Sequence, residues 1–230
     1  MRIPSLRALA RRANFVLFGG MAPEPFLKEV SGVIHVGANT GQERIQYHRC
    51  GLRVLWIEPV PEVFARLKAN LKRYPRQSAY LGLITDRDDL EYEFHIANND
   101  GQSSSIFDLK MHKDVWPDVD YASTVRLRST TLPSLLRNEG IDPEGFDALV
   151  MDTQGSELLV LQGALPILAN FRYIKAEVAD FEAYEGACQL GDLDRFLTEH
   201  GFREFSRRTF AKRTGGGNYY DIIYQRQRSG

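Results

Sequence analysis

A glycine turn near the start of the chain is the feature with the clearest chemical potential. The apolar run 33–36 ends at Gly37-Ala38-Asn39-Thr40-Gly41, and Glu58 closes the next apolar run, seventeen residues after Gly41. Such a turn between a strand and a helix lets backbone N–H groups approach a ligand, and a carboxylate at the end of the next strand can hold both hydroxyls of a ribose. The pattern predicts a nucleoside site built from Gly37, Ala38, Asn39, Gly41 and Glu58.

The middle position of this turn narrows the choice of nucleoside. A pyrophosphate requires glycine there, because its phosphates pass close to the backbone, but this chain has Asn39. The Gly-Lys-Ser/Thr motif that binds ATP phosphates is absent from the sequence. The turn therefore favours a phosphate-free ligand such as S-adenosylmethionine and disfavours both ATP and an NAD-dependent oxidoreductase.

Alternating strands and helices must position this turn. Strands are predicted at 33–37, 53–58 and 77–84, with helices between them that begin near Gly41 and at Pro59 to Pro61. The order resumes further along with strands at 146–152 and 173–178, helices at 156–163 and 192–200, and a terminal strand pair at 202–205 and 219–224. This order predicts an α/β, doubly wound, mostly parallel sheet with the ligand at the carboxyl ends of the strands.

Polar residues at those predicted strand ends are candidates to line the site. Thr85 and Asp86 follow the third strand, Asp152 ends the fourth, and Glu177 lies near the end of the fifth. We expect Thr85, Asp86 and Asp152 to contact the cofactor, because the carboxyl ends of parallel strands meet at one edge.

The alternation breaks in the middle of the chain. Residues 90–97 and 123–129 alternate with a period of two, which predicts antiparallel or edge strands with one wet face. The polar segment 98–117 between them is long for a compact domain, so we expect a functional loop, a lid over the carboxyl edge.

Five motifs resemble the FkbM-type methyltransferase family, over about 33–202. They are His35-Val36-Gly37-Ala38-Asn39-Thr40-Gly41, Glu58-Pro59, Gly101-Gln102-Ser103-Ser104-Ser105, Asp152-Thr153-Gln154-Gly155-Ser156-Glu157 and Leu161-Gln162-Gly163-Ala164. The resemblance implies a class I, Rossmann-like, S-adenosylmethionine-dependent methyltransferase that acts on a hydroxyl oxygen of a secondary metabolite, sugar or glycan. It also makes His35, Pro59 and Ser104 expected cofactor contacts.

His35 departs from the family pattern, which has an acid at this position. A neutral imidazole can accept a hydrogen bond but supplies no negative charge. We therefore expect weaker cofactor binding or binding through water, and His35 as a packed strand residue is the alternative. A second hypothesis for the whole chain is a non-catalytic cofactor-binding or scaffold protein of the same fold.

Methyl transfer to an alcohol requires alignment of the reactants and a group that takes the proton. The expected catalytic residues are Asp152 beside the methyl donor, with Glu177 or His112 as the base. Asp152 as a cap of the turn toward Gly155, and His112 as a solvated loop residue, are the alternatives. Asp152, Glu177 and Asp180 would also offer oxygen ligands for Mg²⁺, but their spacing gives no metal signature, and a required metal is not favoured.

Aromatic residues near the predicted crevice are candidates to line an acceptor pocket, although they suit the core of a lid equally well. They are Phe107, Trp116, Tyr121, Phe181 and Tyr184.

The overall charge disfavours a nucleic acid as the acceptor. Lys and Arg number 29 against 30 Asp and Glu, so no global field would attract a polyanion. A local group of basic residues is the exception: Arg203, Arg207, Arg208, Lys212 and Arg213. Cys50 and Cys188 lack metal spacing and are expected to be reduced thiols of a cytoplasmic protein.

The first thirty residues differ from the rest. Arg2, Arg7, Arg11 and Arg12 precede a short apolar stretch, which is too short to span a membrane. We expect a basic amphipathic arm over residues 1–30 that folds on the domain or on a partner, with membrane-surface contact as a lesser alternative. The methyltransferase domain is then 31–230, and the sequence does not indicate an oligomeric state.

Overall fold

A seven-stranded sheet forms the centre of the protein. The computed structural model describes residues 24–227, and its strands in chain order are β1 (Gly32–Val36), β2 (Arg53–Glu58), β3 (Gln77–Leu81), β4 (Leu83–Ile84), β5 (Glu91–Ala97), β6 (Tyr121–Thr130), β7 (Ala148–Met151), β8 (Tyr173–Ala179), β9 (Phe202–Lys212) and β10 (Asn218–Arg226). The order in the sheet is β3-β2-β1-β7-β8-β10-β9. The first five of these run parallel, and β10 is antiparallel to β8 and β9. The expected doubly wound, mostly parallel sheet is confirmed.

Helices on both faces begin at recognisable sequence signals. The α-helices are α1 (Arg44–Arg49), α2 (Pro61–Leu71), α3 (Leu132–Asn138), α4 (Glu157–Gly163) and α5 (Leu190–Glu199). Proline opens α2, where its missing N–H is not needed. A capping box between Gln189 and Asp192 opens α5.

Each face of the sheet carries its own apolar layer, because successive strand residues point to opposite faces. Val33 and Trp56 belong to one layer, which α1 and α2 cover. Ile34, Leu149 and Leu193 belong to the other, which α3, α4 and α5 cover. The two layers hold the strand ends at fixed positions along one edge.

The prediction of one continuous strand over residues 77–84 is wrong. It divides at Gly82 into β3, which joins the main sheet, and β4, which joins a separate sheet of order β4-β6-β5. The Gly82 N–H donates to the Glu58 carbonyl, and a Cβ at Gly82 would lie 3.0 Å from Leu135 Cδ1. The chain therefore turns out of the main sheet here, whereas the expected antiparallel pairing of β5 with β6 is confirmed.

Part of the predicted N-terminal arm belongs to the domain core. Residues 25–28 form a short 3₁₀ helix in which Phe26 and Leu27 are buried. The rest of the arm lies outside the described residues. No helix in the described part of the chain is long and apolar enough to cross a membrane.

Removing a core side chain from the helical layer should lower stability. Leu193 is fully buried in α5, so Leu193→Ala is expected to reduce the free energy of unfolding by about 2–5 kcal/mol. The matched control is Leu165→Ala, because Leu165 is 44% exposed. Thermal and denaturant unfolding measure both variants, and equal losses would contradict this packing.

Candidate active site

The N–H groups of the glycine turn all donate to acceptors inside the protein. The amides of Gly37 and Ala38 donate to the Ile57 carbonyl, that of Asn39 to Glu58 Oε2, that of Thr40 to Asn39 Oδ1 and that of Gly41 to the Ala38 carbonyl. A phosphate-binding turn needs unused amides that point at the ligand. This turn therefore fits a nucleoside without phosphates.

Backbone geometry explains two residue types in the turn. Gly37 has φ +81°, and a Cβ there would lie 2.0 Å from the Asp152 carbonyl oxygen, so no side chain fits. Asn39 has φ +44°, a left-handed conformation that Asn tolerates better than most residues. The turn can thus pass close to the end of β7.

Glu58 lies at the end of β2, where the expected ribose-binding carboxylate should be. It is 5% exposed, and its oxygens accept N–H bonds from Asn39 at 2.8 Å and Val60 at 3.0 Å. Burial raises the pKa of Glu58 to about 7, with a contribution from Asp152, although the two N–H bonds oppose the shift. Glu58 therefore links the residues that follow β1 and β2, and its carboxylate lies beside the glycine turn.

Asp152 follows β7 directly, so it lies between the glycine turn and the end of β8. Gln154 Nε2 donates to its Oδ1 at 2.5 Å. Burial raises the pKa of Asp152 to about 7, and the charges of Glu157, Glu43 and Asp221 add to the shift. A carboxyl group whose pKa lies close to neutral pH can bind a cation or exchange a proton near physiological pH.

A second turn, Thr153-Gln154-Gly155, connects β7 to α4, and Glu157 at the start of α4 caps it. Its carboxylate accepts the N–H of Thr153 at 3.0 Å and that of Gly155 at 3.1 Å. Asp152 as a cap toward Gly155 is thus not observed. Sequence reasoning missed this role, because an acid in the first turn of a helix is common for its favourable interaction with the helix dipole alone.

His35 is buried below the turn. It is 4% exposed, stacks on Trp56 with ring centroids 4.7 Å apart, and places Nδ1 3.1 Å from the Tyr47 hydroxyl. Burial, aided by the charge of Lys175, lowers the pKa of His35 to about 3. The imidazole is therefore neutral, and its described contacts are those of a packed strand residue.

The central serine-rich segment connects the two turns. Asn39 Nδ2 donates to the Asp100 carbonyl at 3.1 Å, and Ser105 Oγ donates to the Gln154 carbonyl at 2.8 Å. Ser104 is buried, and its Oγ accepts an N–H from the last residue of β5 at 3.0 Å. Ser104 thus lies in the segment that contacts the glycine turn, while Ser105 contacts the second turn.

Thr85 and Asp86 lie at the opposite end of α4 from Asp152. A Cβ on Gly163 would meet the Thr85 carbonyl oxygen at 2.2 Å, so these residues contact the last residue of α4. The Asp152 turn precedes the first residue of that helix. Asp86 pairs with Arg87 at 3.2 Å. Their predicted positions beside the turn followed from the single third strand, which the structure divides.

Glu177 and His112 have different surroundings. Asp152 and Glu177 follow the paired residues Met151 and Ala176, so they are neighbours across β7 and β8, and Glu177 is half-buried. His112 is 1% exposed, and its expected solvation is wrong. We define the aromatic cluster as His112 and the rings around it: Trp116, Phe181, Tyr184 and Tyr219.

The carboxylates considered for Mg²⁺ do not form a metal site. Asp180 accepts the Asn218 N–H at 2.7 Å and the Tyr220 hydroxyl at 2.9 Å. Within residues 24–227, no group of three or more His, Cys, Asp or Glu side chains has an arrangement that can hold a metal ion.

Comparison with known families decides the class of this site. The model of the methyltransferase FkbM domain matches residues 35–204, which contain both turns and the central segment. The chain belongs to the FkbM methyltransferase family. The expected family, enzyme class and S-adenosylmethionine cofactor are confirmed. Two features of the site suit this cofactor: the glycine turn, which has no free amides for phosphates, and the carboxylate of Glu58.

One solved structure with low sequence identity shares the fold, and a second has a lower similarity score. A Listeria monocytogenes protein of unknown character has a TM-score of 0.50 and 8% identity, and the match covers 99% of this chain and 70% of that one. Magnesium protoporphyrin IX methyltransferase from Synechocystis PCC 6803, with bound S-adenosylmethionine, has a TM-score of 0.48 and 10% identity over 96% and 78% of the two chains. Among curated proteins, none matches the sequence significantly.

The segment 98–117 of this FkbM-family chain packs on the edge of the site. Leu109 forms a β-bridge with Tyr184, and Lys110 Nζ lies 2.6 Å from Glu182 Oε2. These contacts join the segment to the residues that follow β8. Movement of the segment as a lid stays a prediction.

Substitutions at two positions should separate cofactor binding from packing. Glu58→Ala is expected to weaken S-adenosylhomocysteine binding about 10- to 100-fold, because hydrogen bonds to a charged group contribute about 1.5–3 kcal/mol. His35→Ala should instead lower the melting temperature and change the Kd less than about threefold, because His35 packs on Trp56. Calorimetry and thermal unfolding measure the two effects, with the exposed Glu62→Ala as control. A larger loss of affinity for His35→Ala would give His35 the cofactor-binding role.

Cofactor affinity should depend on pH. Carboxyl groups of Glu58 and Asp152 with a pKa of about 7 must lose protons when a cationic ligand binds. Below about pH 6, the Kd of S-adenosylmethionine should therefore rise by up to about tenfold per pH unit for each group. Uncharged S-adenosylhomocysteine should respond less. Calorimetry in two buffers of different ionisation enthalpy measures the released protons, and an affinity that is constant between about pH 5 and 8 would contradict the assignment.

Proposed function

We propose that this enzyme transfers a methyl group from S-adenosylmethionine to a hydroxyl oxygen of a small molecule, sugar or glycan. The observation that supports this most is the pair Asp152 and Glu177 on adjacent strand ends, beside the glycine turn and the aromatic cluster. An alcohol is a weak nucleophile, so a nearby carboxylate that accepts its proton lowers the barrier.

Each of these residues has a separate task in the proposed reaction. S-adenosylmethionine supplies a methyl group on a positively charged sulfur. Glu58 holds the ribose hydroxyls, and Asp152 stabilises positive charge beside the turn. Glu177 accepts the proton of the acceptor hydroxyl while the oxygen attacks in line with the sulfur. His112 remains an alternative base, although it lies within the aromatic cluster and is 1% exposed.

The surroundings of Glu177 combine a small cavity with aromatic rings. A cavity of about 20 Å³ lies next to Glu177 and is lined by Gln154, Tyr184 and Tyr219 among others. That volume holds one water-sized molecule, so a sugar would bind at the outer side of the aromatic cluster or displace part of it. Aromatic faces pack well against the C–H groups of sugars, and carboxylates accept bonds from their hydroxyls.

Ion pairing supports a small acceptor over a nucleic acid. Three of the five clustered basic residues are paired with acids: Arg207 with Glu204, Arg208 with Asp221 and Arg213 with Asp114. Arginines that are paired with acids attract phosphates less strongly, because the acid reduces the positive potential around them. We also propose a cytoplasmic location, which the free thiols of Cys50 and Cys188 support. Contact of the N-terminal arm with a membrane surface stays a prediction.

The experiment is methyl transfer by the full-length chain with isotopically labelled S-adenosylmethionine. Acceptor panels should contain sugars and hydroxylated metabolites in one set and amines, carboxylic acids and RNA in another. We expect an O-methyl product by mass spectrometry and NMR. Transfer only to nitrogen, carbon or RNA would overturn the proposal.

Variants of the same enzyme then assign the roles. Glu177→Gln should lower kcat by at least about 100-fold, because general acid–base groups contribute about 10²–10⁴. Asp152→Asn should also lower kcat, because it removes the carboxylate that stabilises positive charge beside the turn. Asp180→Asn is the matched control, because its carboxylate is bonded to Asn218 and Tyr220. A comparable loss for His112→Gln, with Glu177→Gln nearly unchanged, would move the base to His112.

A further inference from the structure

A chain of side-chain hydrogen bonds runs from the aromatic cluster to Asp152. The Tyr184 hydroxyl donates to Gln154 Oε1 at 2.5 Å, and Gln154 Nε2 donates to Asp152 Oδ1 at 2.5 Å. Tyr184 is 2% exposed, and burial raises the pKa of its hydroxyl well above the ordinary value. The tyrosine therefore keeps its proton and acts as a donor.

This donor fixes the orientation of the amide. Because Gln154 Oε1 accepts the proton of Tyr184, the amide NH₂ group must face Asp152. The opposite orientation would place two acceptor oxygens against each other unless Asp152 carried a proton. Gln154 thus presents a donor to an ionised Asp152. Within the described residues, a hydrogen bond is seen to Oδ1 of this carboxylate and none to Oδ2.

The backbone of Gln154 is held in an unusual conformation by neighbours on both sides. Its φ of +55° is left-handed, which is uncommon for a residue with a long side chain. Ser105 Oγ donates to its carbonyl at 2.8 Å. Glu157 accepts the N–H groups of the residues before and after it. Surroundings that impose such a conformation are frequent where a side chain must be aimed at a reacting group.

We infer that Gln154 is a positioning residue, oriented by Tyr184, that holds Oδ1 of Asp152 and keeps Oδ2 directed at the bound reactants. This inference rests on the role that the proposed function gives to Asp152. Neither residue was among the catalytic or cofactor-binding residues expected from the sequence. Both act through Asp152, since Tyr184 contacts Gln154 and Gln154 contacts the carboxylate.

The charges around Asp152 explain why such a donor is needed. Acidic side chains surround it from five elements: Glu58 at the end of β2, Glu43 before α1, Glu157 at the start of α4, Glu177 on β8 and Asp221 on β10. Each of these charges favours the protonated form of Asp152. The Gln154 amide favours the ionised form. Loss of the amide should therefore raise the pKa of Asp152 further.

The test is the titration of Asp152 itself, followed by NMR of ¹³C-labelled aspartate carboxyl carbons and assigned with Asp152→Asn. Gln154→Leu should raise the pKa of Asp152 by about one unit, since one unit corresponds to about 1.4 kcal/mol, a typical net hydrogen bond. Tyr184→Phe should cause a smaller rise, because the amide remains but is free to rotate. Gln154→Glu should cause the largest rise, through like charge.

Tyr224→Phe is the matched control. Tyr224 is 1% exposed and its hydroxyl donates to Asp194, so this variant also loses a buried tyrosine–carboxylate bond. It should lower stability without a shift in the Asp152 titration. An unchanged pKa in Gln154→Leu and Tyr184→Phe, or an equal shift in Tyr224→Phe, would overturn the inference.

Kinetics with an accepted substrate provide the second readout. Gln154→Leu should lower kcat about tenfold and move the acidic limb of the kcat–pH profile upward, with little change in the KM for S-adenosylmethionine at a pH high enough to ionise Asp152 in both enzymes. The NMR titration needs no acceptor. A shifted titration in an enzyme that methylates no hydroxyl would therefore reject the proposed function and retain the positioning role.

Discussion

The burial of several carboxyl groups at one edge of the sheet is the constraint on which the site depends. Glu58 and Glu157 are buried and Asp152 is half-buried, and burial raises the pKa of all three. Ionisation there costs free energy unless a donor or a cation offsets it. Backbone N–H groups offset part of the cost at Glu58 and Glu157, whereas Asp152 has one side-chain amide. The uncompensated negative charge therefore concentrates beside the glycine turn, where we propose that the sulfonium ligand binds.

The sign of this effect on stability follows from the raised pKa values. A carboxyl group that ionises near pH 4.5 in the unfolded chain and near 7 in the folded one favours unfolding as the pH rises between these values. The free enzyme thus loses stability from about pH 4.5 to 7 through Glu58 and Asp152. A bound cation returns part of that loss, because it favours the ionised forms. Cofactor binding and folding are coupled through the same charges.

Periodicity predicted the sheet and its active edge because strand and helix patterns depend on local burial. The parallel order, the β5–β6 pair and the place of Glu58 all follow from apolar alternation and turn residues. Gly82 was harder, because β4 leaves the main sheet to pair with β6, whose residues Ser129 and Thr130 are distant in sequence. Thr85 and Asp86 lie against the last residue of α4, and their contact with the cofactor stays a prediction.

The features of the site that the sequence did not predict also depend on contacts between distant segments. His112 stands in a polar stretch, yet the rings of Trp116 and Tyr184 bury it. The capping role of Glu157 and the aim of Gln154 need the left-handed backbone of the second turn, which no local rule assigns to glutamine. The motif that gave the family thus contained the positioning residue, but its spacing could not show the direction of the amide.

The neutral group at position 35 fits the charge balance below the turn. Lys175 Nζ lies 2.9 Å from Glu24 Oε1 and 3.6 Å from Asp221 Oδ1. Burial alone would lower the pKa of Lys175, but Asp221 and Glu24 raise it above its ordinary value. This cation is therefore already paired, and an acid at position 35 would add an uncompensated buried charge next to Trp56 and Tyr47. A stacked, neutral imidazole avoids that cost, while the carboxylates of Glu58 and Asp152 remain at the edge of the sheet where we propose that the cofactor binds.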